Sequence, residues 1–250
     1  MKRFARWLWC LPLLLLVNFV VQAPARLLES LLPQELAFQA SSYQGSLWKG
    51  RAQQVVTGSD GAYVNIDTVQ WTLHPLSLLS LSPSADVVLE ASGSEFLSGE
   101  VQWLGGQRLG ASDLEVSLPA VTVGHYAGSY PLAGQLSLRL EKLVLDGSRV
   151  EELAGNGSWQ NARVDIGGRW FAMGTLAGDL AMQGNSVQLS FFDLSGPVDL
   201  DGQLLFNPSG TTSVDALVGL PPQTDDDVVQ RLSLFAERQP DGKYHIEFEY

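Results

Sequence analysis

The chain is poor in the residues that disulfides, metal sites and nucleic-acid binding require. Its 250 residues include one cysteine, Cys10, and three histidines, His74, His125 and His245. One cysteine excludes an intrachain disulfide and a cysteine-based zinc site, and no histidine has a second ligand at metal-binding spacing. The 15 Lys and Arg residues face 27 Asp and Glu residues, a net charge of −12, which opposes binding to nucleic-acid phosphates. We therefore expect no metal, no cofactor and no nucleic-acid partner.

Sequence motifs of catalytic sites are also lacking. The sequence has no Walker loop, and the segment Gly155–Trp159 lacks the second glycine of a nucleophile elbow. Asp225-Asp226-Asp227 clusters three carboxylates, but the spaced oxygens of a calcium loop are missing, and an acidic first helical turn explains the cluster better. We therefore predict that the protein is not an enzyme and has no catalytic, cofactor-binding or metal-binding residues.

The N-terminus has the pattern of a membrane anchor. Residues 1–6 contain Lys2, Arg3 and Arg6, and residues 7–21 (WLWCLPLLLLVNFVV) contain no charge. The positive-inside rule keeps the basic end in the cytoplasm, so we predict a cytoplasmic tail at 1–6, a transmembrane anchor at 7–23 and a domain at 24–250 on the far side of the membrane. The anchor side chains are Trp7, Trp9, Leu13, Leu14, Leu15, Leu16, Val17, Phe19, Val20 and Val21.

A cleaved secretory signal is the alternative for this segment. A spanning helix needs about 20 residues and a signal peptide about 7–15 apolar ones, so both fit the length. Ala23-Pro24-Ala25 offers the small residues of a cleavage site, but the proline makes it a poor one. We favour the uncleaved, single-pass anchor, and either interpretation places the remaining residues beyond the membrane.

The body of the chain has the alternating pattern of β-strands. A short helix is predicted at 25–32, where leucines recur at helical spacing. Beyond it apolar residues alternate with polar ones, as in Ser112–Pro119, which indicates strands with one buried face. A second helix is predicted with Thr224–Asp227 as its N-cap and acidic first turn, and it continues at helical spacing to Phe235. Leu232–Phe235 fits a strand equally well. The fold class is therefore mainly β, with few short helices.

Glycine-containing turns separate the predicted strands at intervals too short for crossover helices, which favours antiparallel hairpins. Several strands share a Gly-x-apolar-x opening, which fits either an ordinary meander or an elongated, repetitive sheet. We find no convincing domain boundary, although Gly147–Gly157 is a plausible soft division. The predicted turns are Gly58–Gly61, Gly105-Gly106, Asp146-Gly147, Gly167-Gly168, Gly184-Asn185, Asp201-Gly202 and Asp241-Gly242.

Two tryptophan-containing segments have an unusual pattern. The first, Gly45–Gly50, reads Gly-x-Leu-Trp-x-Gly, and the second, Trp71–Leu79, reads Trp-x-Leu-x-Pro-x-x-Leu-Leu. A buried tryptophan removes about 150–250 Å² from water, so Trp48 and Trp71 are candidate core anchors. The residues that define the two motifs are Gly45, Leu47, Trp48, Gly50, Trp71, Leu73, Pro75, Leu78 and Leu79.

These motifs, in this order behind a basic N-terminus and one apolar span, resemble the type II secretion system protein N family of Gram-negative bacteria. The resemblance implies an accessory inner-membrane component that supports the export of folded proteins, with other secretion subunits and the inner membrane as partners. It also implies a looser kinship with AsmA-like envelope proteins, and hence an elongated, curved antiparallel sheet. That kinship gives the alternative function, in which the sheet binds or transfers phospholipid.

Overall fold

The computed structural model describes residue 18 and residues 22–28, 39–59, 62–91, 95–124 and 131–249. The ten predicted anchor side chains lie outside these residues, and so does the second half of the helix predicted at 25–32. In its first half, Leu27 and Leu28 are helical. In the part of the chain that is described, no helix combines the length and the apolar character needed to cross a membrane.

The chain divides into two compact units. The first comprises residues 1–93 and 100–103, and the second comprises residues 94–99 and 104–250. The segment Gly147–Gly157, considered above as a soft division, lies in a hairpin of the second unit.

The first unit is an antiparallel meander. Its strands pair in sequence order, each with its chain neighbour. Its core consists of Ala25, Ala52, Val55, Val69 and Trp71. The strands are β1 (Gln39–Gly45), β2 (Lys49–Ser59), β3 (Ala62–Leu73) and β4 (Ser84–Glu90), with a 3-10 helix at Pro75–Leu78 between β3 and β4; strand β5 (Phe96–Gly105) is divided between the two units.

The second unit continues the antiparallel pattern. Strand pairing follows chain order as far as β12, which pairs with β14, and the two-residue β13 lies outside β14. Ala162, Leu176, Val198, Leu200 and Val218 form its core. The elements are β6 (Arg108–Pro119), α1 (Ala120–Gly124), β7 (Leu132–Asp146), β8 (Arg149–Asp165), β9 (Trp170–Gln183), β10 (Ser186–Ser195), β11 (Asp199–Phe206), β12 (Thr212–Gly219), α2 (Asp226–Leu232), β13 (Glu237–Arg238) and β14 (Tyr244–Glu249).

The prediction of a mainly β, antiparallel protein with few helices is confirmed. The predicted helix after Thr224 is α2, although its N-cap is Asp225 and it ends before Phe235. One predicted turn is wrong, because Asp201-Gly202 lies within strand β11. A Cβ at Gly202 would be 2.6 Å from the Cβ of Ala216 on the neighbouring strand, so this glycine permits a close strand-to-strand approach rather than a turn.

Candidate functional site

The first motif forms the turn between β1 and β2. The Ser46 amide donates to the Lys49 carbonyl at 2.9 Å, and the Lys49 amide donates to the Ser46 hydroxyl at 3.2 Å. Gly45 has a φ of +84°, and a Cβ there would be 2.5 Å from the Lys49 carbonyl oxygen. A glycine is therefore required where the turn begins.

The second motif packs directly against this turn. Trp71 is 5% exposed, and its indole Nε1 donates to the Leu47 carbonyl at 2.9 Å. Gly50 lies opposite Trp71 in the β2–β3 register, and a Cβ at Gly50 would overlap the indole ring. The two motifs thus form one packed feature, which we call the tryptophan clasp (residues 45–50 and Trp71). A backbone hydrogen bond also joins the two motifs, because the Leu73 amide donates to the Trp48 carbonyl at 2.7 Å.

The clasp also holds the segment that follows the predicted anchor. The Leu47 amide donates to the Ala23 carbonyl at 2.7 Å, and the Ala25 amide donates to the Gly45 carbonyl at 3.3 Å. Ala23 is 6% exposed and Ala25 is 2% exposed. The clasp therefore fixes the point at which the chain leaves the predicted membrane span.

Within the second motif, Leu73 packs against the core of the first unit, whereas the leucines after Pro75 lie at the surface. The leucine loop, residues 75–83 (PLSLLSLSP), connects β3 to β4 and contains no charged side chain. Trp48, which was predicted with Trp71 to be a core residue, is only partly buried. In the loop, the exposed fractions are 79% for Leu76, 43% for Leu78, 83% for Leu79 and 81% for Leu81.

Polar contacts hold the two ends of the leucine loop together. The Ser77 hydroxyl donates to the His74 carbonyl at 2.6 Å and accepts from the Ser84 amide at 2.8 Å. The His74 ring lies 3.1 Å from the Ser84 hydroxyl and 3.0 Å from the Asp86 carboxylate. Glu100 is 3.6 Å from the same ring.

His74, Ser84 and Asp86 are the residue types of a hydrolytic triad, but their arrangement does not fit one. A nucleophilic serine must reach a substrate, whereas Ser84 is only 6% exposed. The cluster therefore stabilises the base of the loop.

Two of the remaining ionisable candidates also have structural partners. Asp225 at the start of α2 lies 3.2 Å from Arg169, and His245 lies 2.8 Å from Asp215. His125 lies outside the described residues. Within the described ranges, no group of three or more His, Cys, Asp or Glu side chains could hold a metal ion.

An apolar hollow opens on one face of the second unit. Gly157 faces Gly178 across β8 and β9, Gly178 faces Phe191, and Phe191 faces Gly202. Because glycines carry no side chains, this row leaves space between larger neighbours. The hollow measures about 560 Å³ and its walls include Leu138, Trp159, Leu176, Leu180, Leu189 and Phe191.

The opposite face of the same strands is polar. Arg139 lies 3.1 Å from Glu115 on β6 and faces Asn156 on β8, and Asn156 faces Asp179 on β9. Alternation along the strands predicted one apolar face. It did not predict the hollow, because the meeting of Gly157 and Gly178 depends on the β8–β9 register.

These features define an antiparallel β protein with exposed apolar side chains and an apolar hollow. The sequence profile described as "Type II secretion system (T2SS), protein N" matches residues 37–247. The chain belongs to this family, and the resemblance carried by the two tryptophan motifs is confirmed.

Two relatives match over nearly their full lengths. A protein of Vibrio cholerae serotype O1 named "Type II secretion system protein N" is 24% identical, covering 99% of this chain and 98% of the relative. A protein of the same name from Aeromonas hydrophila is 25% identical, covering 92% of this chain and 91% of the relative. No solved structure matches the chain.

Proposed function

We propose that the protein is an accessory, noncatalytic component of the type II secretion system that supports the export of folded proteins from the periplasm. The observation that carries this proposal is the family match over residues 37–247, together with two relatives of the same name that align nearly end to end.

In this proposal residues 7–23 anchor the chain in the inner membrane, residues 1–6 remain in the cytoplasm and residues 24–250 lie in the periplasm. The basic start and the uncharged run 7–21 support the arrangement. N-terminal sequencing of the mature protein tests it, because a new N-terminus near Ala25 would mean that the span is cleaved.

The mechanism is contact with other secretion subunits. A membrane anchor confines the chain near its partners and raises their effective concentration. The outer edge of strand β14 offers one surface for such contact. Within the described residues, β13 pairs with this edge only at Tyr244 and His245. Ile246–Glu249 are therefore available for the addition of a partner strand. The net charge of −12 favours partners with basic patches.

Cross-linking in the native envelope tests the contact mechanism. A photoreactive side chain at Glu247 on β14 should cross-link to another secretion subunit, whereas the same group at Glu152 on β8 provides the control. Equal cross-linking to unrelated envelope proteins at both positions would contradict the use of β14.

The alternative function is phospholipid binding or transfer, and the apolar hollow in the second unit favours it. A hollow of about 560 Å³ with leucine, tryptophan and phenylalanine walls has the size and apolar lining of a small-molecule site, and an acyl chain would be drawn into it by the hydrophobic effect. Phospholipid retained through purification without added lipid would support this function. Defective secretion with an intact lipid barrier would support the first.

A further inference from the structure

We propose that the leucine loop is a second membrane contact of this protein and inserts its leucines into the bilayer surface beside the anchor. This inference rests on the proposed inner-membrane location. It adds a site in the folded domain, within the described residues, that touches lipid directly.

The position of the loop follows from the strand register of the first unit. The β1–β2 turn and the β3–β4 connection lie at the same end of the meander, since Lys49 pairs with Thr72 and the Leu73 amide donates to the Trp48 carbonyl at 2.7 Å. The segment Ala23–Ala25 is hydrogen-bonded to that same β1–β2 turn. Strands β1 and β3 are two strand spacings apart in the sheet, a distance of about 10 Å. The leucine loop, which follows β3, therefore begins close to the point at which the predicted membrane span ends.

The chemistry of the loop fits a bilayer surface. Leu76, Leu79 and Leu81 are each about four-fifths exposed, at 79%, 83% and 81%, whereas soluble surfaces rarely cluster large apolar side chains in this way. No charge lies between Pro75 and Pro83. The three serines of the loop are short polar groups that the headgroup region can hydrate.

The base of the loop limits how deeply it can insert. His74, Asp86 and Glu100 surround the point where the loop leaves the sheet, with the His74 ring 3.0 Å from the Asp86 carboxylate and 3.6 Å from that of Glu100. Carboxylates are expensive to bury in hydrocarbon. The leucines therefore enter the interface while the ionisable base remains in water.

The loop conformation is held before any membrane contact. The Ser77 hydroxyl joins His74 to Ser84 with hydrogen bonds of 2.6 Å and 2.8 Å, and the Ser82 amide donates to the Ser77 carbonyl at 3.2 Å. A loop fixed in this way loses little conformational freedom when it inserts. It acts with the anchor as a second attachment point, which restricts rotation of the first unit at the membrane.

Site-specific fluorescence quenching in the full-length chain tests this proposal. In a Cys10→Ser background, the variants Leu79→Cys and Leu76→Cys are labelled with an environment-sensitive fluorophore. The protein is reconstituted into vesicles of three parts phosphatidylethanolamine to one part phosphatidylglycerol. Leu234→Cys is the matched control, because Leu234 and Leu76 are both 79% exposed.

We expect lipid-borne nitroxide to quench the loop labels at least about threefold more strongly than the Leu234 label, and aqueous iodide to quench them correspondingly less. Equal iodide access at all three positions in protein that floats with the vesicles would overturn the loop contact and leave the anchor intact. If the loop labels are protected from iodide only when other envelope proteins are present, the loop contacts a protein partner and the proposed lipid contact is overturned. Protein that fails to float with vesicles would overturn both the anchor and the loop contact.

A polar substitution that leaves the fold intact provides a second measurement. Leu76→Ser combined with Leu79→Ser removes two exposed leucines from the loop, and an unchanged melting temperature shows that the fold persists. In this background, a label introduced as Leu78→Cys should lose its protection from iodide. Retained protection would contradict insertion driven by the leucines.

Discussion

The Trp71 indole donates its Nε1 hydrogen to the Leu47 carbonyl at 2.9 Å, and this bond joins the two tryptophan-containing sequence motifs in the tryptophan clasp. The same turn bonds Ala23 and Ala25. Trp71 and the β1–β2 turn therefore have a local structural role, which is to hold the folded first unit to the segment at the end of the predicted anchor.

Replacement of Trp71 by Ala should destabilise the first unit by about 3–5 kcal/mol, because it leaves a large cavity. Replacement by Phe should cost less, about 1–3 kcal/mol, since it leaves the Leu47 carbonyl without its donor. Urea unfolding followed by circular dichroism measures both. The matched control is Trp170→Ala, because Trp170 is 53% exposed and its loss should change stability by less than about 0.5 kcal/mol. Equal effects at Trp71 and Trp170 would show that the clasp is not a core feature.

Replacement of Gly50 by Ala should destabilise the protein by about 1–3 kcal/mol, because the added Cβ overlaps the Trp71 ring and lies 2.8 Å from the Ser46 carbonyl. Phenylalanine at position 71 lacks the ring atom that is overlapped. The cost of Gly50→Ala should therefore be smaller in a Trp71→Phe background, and a double-mutant cycle should give a coupling of about 0.5–3 kcal/mol. Strict additivity would contradict the direct contact.

Much of this fold follows from sequence patterns. Alternating apolar residues predicted strands such as β6, and glycine turns such as Gly184-Asn185 lie where expected between β9 and β10. The prediction of a turn at Asp201-Gly202 failed for a physical reason. A glycine can permit either a turn or the close approach of a neighbouring strand, and the sequence shows only that a glycine is present. Only the strand register distinguishes them.

The candidate sites were less predictable for a similar reason. The tryptophan motifs were visible, but their mutual contact depends on the pairing of Gly50 with Trp71, which periodicity does not specify. The hollow depends on glycines from separate strands meeting in one row. The leucine loop has helical-like spacing in sequence, and its exposure became evident only from its place between β3 and β4.

Replacement of Ser77 by Ala should loosen the leucine loop without unfolding the sheet. It removes the hydroxyl that donates to the His74 carbonyl and accepts from the Ser84 amide. Hydrogen exchange at the Ser84 amide should accelerate by about tenfold, because the free energy of local opening falls by about the value of one hydrogen bond. Ser80→Ala is the control, because it removes a hydroxyl from the same loop but keeps the two hydrogen bonds of the Ser77 hydroxyl. Similar acceleration in both variants would argue against a specific role for Ser77.

Gly157→Leu should fill the apolar hollow and weaken the binding of a fluorescent fatty acid by about tenfold if the hollow holds an acyl chain. Gly157 permits this test because a Cβ there would lie no closer than 3.1 Å to its nearest neighbour, the Ser137 carbonyl. Asn156→Leu adds the same side chain to the opposite, polar face. Equal affinity in wild type and Gly157→Leu, with both proteins folded, would eliminate the hollow as a lipid site.

In the proposed function, this chain serves type II secretion through contacts of a membrane-tethered β domain. The most direct test is the amount of type II substrate released into the medium by a strain from which the chain has been deleted, compared with the same strain carrying the full-length chain. We expect the substrate to accumulate in the periplasm of the deletion strain while a periplasmic marker remains inside the cell, and we expect the full-length chain to restore release. Normal release from the deletion strain, or a loss of release accompanied by leakage of the periplasmic marker, would contradict it.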